Sequence, residues 1–444
     1  VKKLSPILVL LLLTACGGSS SDSTPIITVP PFTPAPSTPP VVTPPVAGPA
    51  LFSAPQKIDG INITIPYTNV NGKYTFEHSI ESFYVVGNHL SVLKSYFPSN
   101  VAAPDVYGEE FAYSLTNNSS TIFATKKSSV VSTSMPADTI EIADFNRDGY
   151  KDVFIGDAGY DAGNFGGGQN KLLFGNGSGG FIDKSTNIPT TKGFTHSTAI
   201  ADIDNDGDVD IYVGNLAWKP TMTKPYFLVN DGRGIFTRLD DLFANGLDAS
   251  KYSAAEFADL DADGVSELVL GGDKVDSIIL RYNGGQYSAT QTLSIPGRVV
   301  TDISIADLNG DAKREIVMST TAEQPFYRGT TVYVFGQTNG VYGKTETFVI
   351  SEQRWNSKLH VTDVNRDGLL DIVSTGYMPD TKILINDGKT FKVDETFRAP
   401  WDSTWSGVEM WDVNNDGRLD FLYTKQEQQI IPNTLNVSVH VLFG

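Results

Sequence analysis

One nine-residue pattern recurs six times, and no feature of the chain constrains its fold more. The copies are ADFNRDGYKDVFIG from Ala143, ADIDNDGDVDIYVG from Ala201 and ADLDADGVSELVLG from Ala258. ADLNGDAKREIVMS follows from Ala306, TDVNRDGLLDIVST from Thr362 and WDVNNDGRLDFLYT from Trp411. Their first aspartates are spaced 58, 57, 48, 56 and 49 residues apart. A length of 444 residues would otherwise suggest two to four domains. A period of about 50 residues instead marks a propeller or solenoid.

The shared pattern is D-x-[DN]-x-D-G-x-x-[DE], and the chemistry of a hard cation explains its spacing. Calcium takes about six to eight oxygens at ~2.3–2.6 Å. Side chains at positions 1, 3 and 5 converge only where the chain curls tightly, and Gly at position 6 permits that turn. Position 7 offers a backbone carbonyl, and the acid at position 9 closes the shell. The first loop thus supplies Asp144, Asn146, Asp148, Tyr150 and Asp152, and the second Asp202, Asp204, Asp206, Asp208 and Asp210. The third supplies Asp259, Asp261, Asp263, Val265 and Glu267, and the fourth Asp307, Asn309, Asp311, Lys313 and Glu315. The fifth supplies Asp363, Asn365, Asp367, Leu369 and Asp371, and the sixth Asp412, Asn414, Asp416, Arg418 and Asp420. Up to six calcium ions are expected. An EF-hand would need Glu at position 12 and flanking helices. Here VFIG, IYVG, LVLG, IVMS, IVST and FLYT follow the acid, and these are strand formers. The fourth loop has Ala312 where the others have Gly, with Lys313 and Arg314 beside it. It is expected to be the most strained and the weakest site.

The acidity agrees with this reading. Lys and Arg number 33 against 51 Asp and Glu, a net charge of −18. That balance argues against nucleic acid and against docking on anionic lipid through a basic face. Much of the charge is ligand.

A second motif alternates with the first. It is a hairpin with a Gly/Asn turn, seen from Phe111, Lys171, Tyr226, Ser277, Thr331 and Lys382. SIESFYVVGN from Ser79 reads as the start of a further unit whose loop has lost its acids. The simplest account is an all-β chain of seven four-stranded blades. The last ends with NVSVHVLFG and lacks an outer strand, which INITIPY at Ile61–Tyr67 could supply, removing a sheet edge.

These loops resemble the FG-GAP/VCBS repeats, the calcium-loop repeats of the integrin α-subunit propeller and of many bacterial surface proteins. The resemblance covers about residues 75–444, with the FG and GAP signatures only loosely present. It implies a seven-bladed β-propeller with calcium bound beneath it, over a domain at 51–444. It does not imply one function, since such modules serve adhesion, sugar binding and enzymes alike.

The N-terminus reads as an address followed by a tether. Lys2 and Lys3 precede the apolar run Ile7 to Leu13, which is too short to span a bilayer. Leu13-Thr14-Ala15-Cys16 follows, with the chain's one cysteine. The arrangement resembles a bacterial lipoprotein signal over 1–15, with Cys16 lipidated, and Gly17 after it favours the outer membrane. Residues 16–50 hold ten of the 24 prolines and form an extended tether.

The calcium loops and the hairpin turns share one rim, so the other connections share the opposite rim. Those carry Tyr160, Phe165, Trp218, Tyr327, Trp355, Tyr377, Trp401 and Trp405, with Asp157, Asp161, Arg328 and Asn356 nearby. Two readings stand: a platform for a sugar or protein, or rings packed over blade ends. Inner-strand residues Glu141, Ala199, Glu256, Ser304, His360 and Glu409 precede each first Asp by three. They line a channel or offer acid–base groups. No nucleophile elbow, zinc helix or phosphate-cradling loop occurs. The expected function is a monomeric, lipid-anchored surface protein that binds an extracellular glycan or protein. The alternatives are a polysaccharide lyase or hydrolase on the same fold and a periplasmic envelope-assembly scaffold.

Overall fold

The middle strands of each repeat are apolar on both faces, and this dictates how the sheets stack. In the computed structural model Asp152–Gly156, Asp210–Asn215 and Glu267–Gly272 are buried at every position. Such strands need a cover on each side. Outer strands such as Val341–Ser351 mix buried and exposed positions instead. The structure describes residues 51–61, 63–70, 73–76, 78–96, 108–118, 121–127, 139–159, 165–322, 328–377, 380–400, 407–427 and 434–444. Cys16 and the segments expected to be leader and tether, residues 1–50, lie outside the described residues.

The fold is all-β, with three short 3-10 turns as its helical content among the described residues. Five four-stranded antiparallel sheets run in chain order. The first comprises His78–Val86, His89–Tyr96, Gly108–Asn118 and Thr121–Lys126. The second comprises Thr139–Ala143, Asp152–Gly156, Lys171–Gly175 and Phe181–Asp183. The third, fourth and fifth begin at Thr195–Ala201, Tyr252–Ala258 and Arg298–Ala306. A ten-stranded sheet holds two further runs, starting at Lys358–Thr362 and Gly407–Trp411. They are joined where Gly376 and Tyr377 pair with Val408 and Gly407. All six hairpins read from the sequence pair as strands three and four of their runs.

The last strand, Thr434–Leu442, is covered by N-terminal chain. Ile63, Thr64, Ile65 and Pro66 pair antiparallel with Val437, Asn436, Leu435 and Thr434. Gln56 and Lys57 pair with Val441 and His440. The expected Ile61–Tyr67 segment therefore supplies this strand.

Apolar layers fill each gap between consecutive sheets. Tyr84 and Leu93 of the first sheet meet Val153, Ile155 and Leu173 of the second. Phe154 and Leu172 meet Ile211, Val213 and Leu228 of the third. The last run meets the first sheet through Leu422, Val439 and Val441 against Phe83, Leu90 and Val92, with Ile58, Ile61 and Ile63 in the same layer. Ile61 has no exposed surface. Ile61→Ala is expected to cost about 2–5 kcal/mol in urea unfolding. A change under about 1 kcal/mol would mean that the N-terminal strand is not part of the cooperative core.

Candidate functional site

Each acidic loop lies between strands one and two, and its own hydrogen bonds shape it. The first carboxylate takes two backbone N–H groups: Asp148 N–H donates to Asp144 Oδ1 (3.1 Å) and Gly149 N–H to Oδ2 (2.9 Å). Asp206 and Gly207 serve Asp202 the same way, as do Asp263 and Gly264 for Asp259. The fourth, fifth and sixth loops repeat it at Asp307, Asp363 and Asp412. The fifth carboxylate accepts the seventh residue's N–H, as from Tyr150, Asp208, Val265, Lys313, Leu369 and Arg418. So the sequence spacing builds one cradle six times.

Backbone angles explain the glycines. Position 6 has φ of +85° to +91° in five loops, all with Gly. Position 4 is also left-handed, at Arg147, Asn205, Ala262, Arg366 and Asn415. The fourth loop exchanges the two: Gly310 takes position 4 at +75° and Ala312 takes position 6 at +65°. It holds one left-handed non-glycine residue, as the others do, so the extra strain expected there is absent.

The ninth position is a buried anchor. Asp152, Asp210, Asp371 and Asp420 are fully buried, and Glu267 and Glu315 nearly so. One oxygen accepts the N–H of the loop's second residue, as from Phe145 to Asp152 (2.9 Å) and Ile203 to Asp210 (2.8 Å). In the aspartate copies the other oxygen accepts an N–H from the end of strand three or just beyond: Gly175, Asn230, Asn386 and Gly444. Burial pushes Asp152, Asp210 and Asp420 up to about 6 against these bonds. The ninth acid thus binds loop to sheet, beneath the oxygens of positions 1, 3 and 5. Among the described residues, three carboxylates gather within 4.8 Å in two loops: Asp202, Asp204 and Asp206, and Asp259, Asp261 and Asp263. The other four have Asn146, Asn309, Asn365 or Asn414 at position 3. All these donors are oxygen, a set suited to a hard divalent cation. At Gly368 φ is +89° and no atom lies within 4 Å of an added Cβ. Gly368→Ala is therefore expected to destabilise by about 1–2 kcal/mol in urea, through backbone strain alone.

Sequence reasoning missed the ties between loops of successive sheets. Asn230 Nδ2 donates to Phe145 O (2.8 Å), Gln337 Nε2 to Leu260 O (3.0 Å) and Asn386 Nδ2 to Leu308 O (2.6 Å). Arg147 of the first loop pairs with Asp208 of the second at 2.5 Å. The Asn-Asp-Gly spelling of two hairpin turns was the available signal.

The aromatic candidates divide. Phe165 and Trp218 come from connections of successive sheets and meet edge to face, with centroids 4.8 Å apart. Both pack on buried Phe194, and Lys219 Nζ lies 5.5 Å from the Phe165 ring. Trp218 is 53% exposed. Met222 packs in the same cluster and also lines a cavity of about 760 Å³ with Lys224, Arg238, Asp240, Asp248 and Gln286. Trp355 is half-buried elsewhere. Tyr160, Asp161, Tyr327, Trp401 and Trp405 lie outside the described residues, as does the side chain of Tyr377. Two suggested sugar partners are structural instead. Asn356 is fully buried and bonded to Ser374 and Asp380, and buried Asp157 accepts the Gly159 N–H.

The inner strands gather acids around one lysine. Thr198 donates to Glu141 (2.7 Å), and Ser82 and Trp411 donate to Glu409 (2.8 and 3.1 Å). Burial raises Glu141 to about 7, with Asp302 adding to it and Lys358 opposing. Burial, then Glu141 and Asp302, raise Glu256. Burial and Lys358 lower His360 to about 3. Folding therefore favours protonated Glu141. That stabilisation is present below the ordinary glutamate range and fades as pH rises through about 7. Melting temperatures in EDTA are expected to fall from about pH 5 to about pH 8 more steeply for the wild type than for Glu141→Gln. Parallel curves would remove Glu141 from the pH response.

Comparison with known proteins follows the loops. The FG-GAP-like repeat model matches residues 144–213, 259–318 and 363–423. No curated protein matches the chain. Among solved structures, a putative 6-phosphogluconolactonase from Bacteroides uniformis aligns at 9% identity and a TM-score of 0.45, over 79% of this chain and 95% of its own. A mutant of AofleA from Arthrobotrys oligospora aligns at 10% identity and 0.42, over 76% and 91%. At those scores neither alignment bears on function. Each family match begins at the first aspartate of one loop and runs past the next, so the three together span all six, and the chain carries FG-GAP-like repeats.

Proposed function

We propose that residues 51–444 form a seven-bladed β-propeller that binds calcium in its acidic loops and captures an extracellular glycan or protein. The apolar layer between the last run and the first sheet supports a closed ring. So does the pairing of the N-terminal strand with Thr434–Leu442, which supplies the outer strand of the last blade. Calcium is supported by the all-oxygen donors and by the three carboxylates gathered in the second loop. In this reading Cys16 carries the lipid, the proline-rich tether holds the domain off the membrane, and the outer membrane is the site.

The observation that carries ligand capture is the Phe165–Trp218 pair. An indole 53% exposed, braced by rings below it, is a ready stacking face for a sugar or a protein side chain. The adjoining cavity places Lys224, Asp248 and Gln286 where polar groups of a ligand need partners.

The test is a glycan-array screen of the protein in millimolar calcium and again in EDTA, followed by pull-down from the cell envelope. Trp218→Ala is expected to abolish capture while leaving the melting temperature within about 2 °C. A collapse in melting temperature would make the ring a packing residue. Capture unchanged by the substitution would remove this face from the reading.

A further inference from the structure

The second and third loops gather the same three carboxylates, yet their surroundings differ. In the second, Arg147 pairs with Asp208, outside the triad. Among the described residues no basic side chain pairs with Asp202, Asp204 or Asp206. In the third, Arg281 reaches over from strand three of the same sheet, Ser277–Asn283. Its Nη1 meets Asp261 Oδ2 and its Nη2 meets Asp263 Oδ2. Its Nε lies 3.8 Å from Glu267 Oε1. That oxygen is buried and has no hydrogen-bond partner, while Glu267 Oε2 holds the Leu260 N–H at 2.8 Å.

Strand register shows how unusual this arginine is. The residue after each ninth acid pairs with a strand-three residue: Val153 with Leu173, Ile211 with Leu228, Leu268 with Leu280, Ile316 with Phe335, Ile372 with Leu384 and Phe421 with Leu442. The next residue along strand three is Phe174, Val229, Arg281, Gly336, Ile385 or Phe443. One of the six is charged, and it stands where its fork reaches two loop carboxylates. The basic residues that face an acid of the fourth and sixth loops come from position 7 of the loop itself. Lys313 stays 3.8 Å from Asp311, and Arg418 meets Asp416 alone.

We propose that Arg281 is the resident cation of the third loop, so that this loop folds without calcium and takes up none while the guanidinium is in place. This rests on the calcium reading of the other loops. A planar fork on two carboxylates makes strong charge-assisted hydrogen bonds. It is tethered, so it does not dilute away when calcium falls. An incoming ion must break both contacts and meet a positive charge beside it. The third loop, and not the fourth, is therefore the departure from the six-site pattern.

The experiment is calcium titration by calorimetry on the metal-stripped full chain, comparing wild type, Arg281→Gln, Asp206→Asn and Asp263→Asn. Arg281→Gln is expected to bind one more ion than wild type, Asp206→Asn one fewer, and Asp263→Asn the same number, because position 5 is Asp in all six loops whereas position 3 is Asn in four. In EDTA, Arg281→Gln is expected to melt below wild type and to recover on adding calcium. If wild type binds ions and Arg281→Gln adds none, or Asp263→Asn loses one, the proposal fails while the calcium reading stands. If neither wild type nor Arg281→Gln binds calcium, both fail. Should Arg281→Gln not fold, Asp263→Asn in the wild-type background decides alone, since an ion lost there overturns the proposal.

Discussion

Six of the sheet runs hang on a buried carboxylate that accepts a backbone N–H group. Burying a charged group is costly unless it is hydrogen-bonded. Asp152, Asp210, Asp371 and Asp420 meet that demand by holding the second residue of their loop with one oxygen and the end of strand three, or the residue just past it, with the other. One side chain thereby fixes three parts of a sheet at one end. The acidic loop above it inherits a fixed base. The positions of Asp202, Asp204 and Asp206 follow from that base and from the turn's own N–H donors.

Length at this position has consequences. Glu267 and Glu315 are one methylene longer than the aspartates, and each keeps the bond to the second residue. Neither makes the bond to the end of strand three seen at the aspartates. Glu315 turns its free oxygen to Asn309 at 3.0 Å, and Glu267 leaves its own without a hydrogen bond, 3.8 Å from Arg281. The two glutamate loops are also the two whose neighbours carry the least expected residues, Arg281 and Ala312. A changed anchor and a changed loop occur together.

Much of this was legible in the sequence because it is local. The six loops, the six hairpins and the strand at Ile61–Tyr67 were each spelled within about ten residues, where turn chemistry and alternation act. What was not legible depends on register between distant strands. Nothing near Arg281 announces that its fork lands on Asp261, 20 residues away. Asn386 reads as a turn residue, yet its side chain also reaches Leu308, 78 residues away. Asn356 was named as a polar group near the candidate rings and is instead enclosed by Ser374 and Asp380. Phe165 and Trp218 were both named as ring candidates, but only packing could show that they touch.

The two triads show two answers to one electrostatic problem. Three carboxylates within 4.8 Å repel one another, and folding brings them together whatever the cation supply. In the second loop the repulsion is left standing. Burial and then the charges of Asp206 and Asp202 raise Asp204 above its ordinary range. Within the chain, what holds that loop against the repulsion is its backbone cradle. In the third loop a guanidinium supplies the positive charge from within the chain, at the cost of ordering one long side chain. A repeat protein can use both, because each loop is set mainly by its own sheet and its immediate neighbour. If the proposed calcium reading holds, a loop with a built-in cation gives its neighbours one face whose charge balance does not depend on the calcium supply.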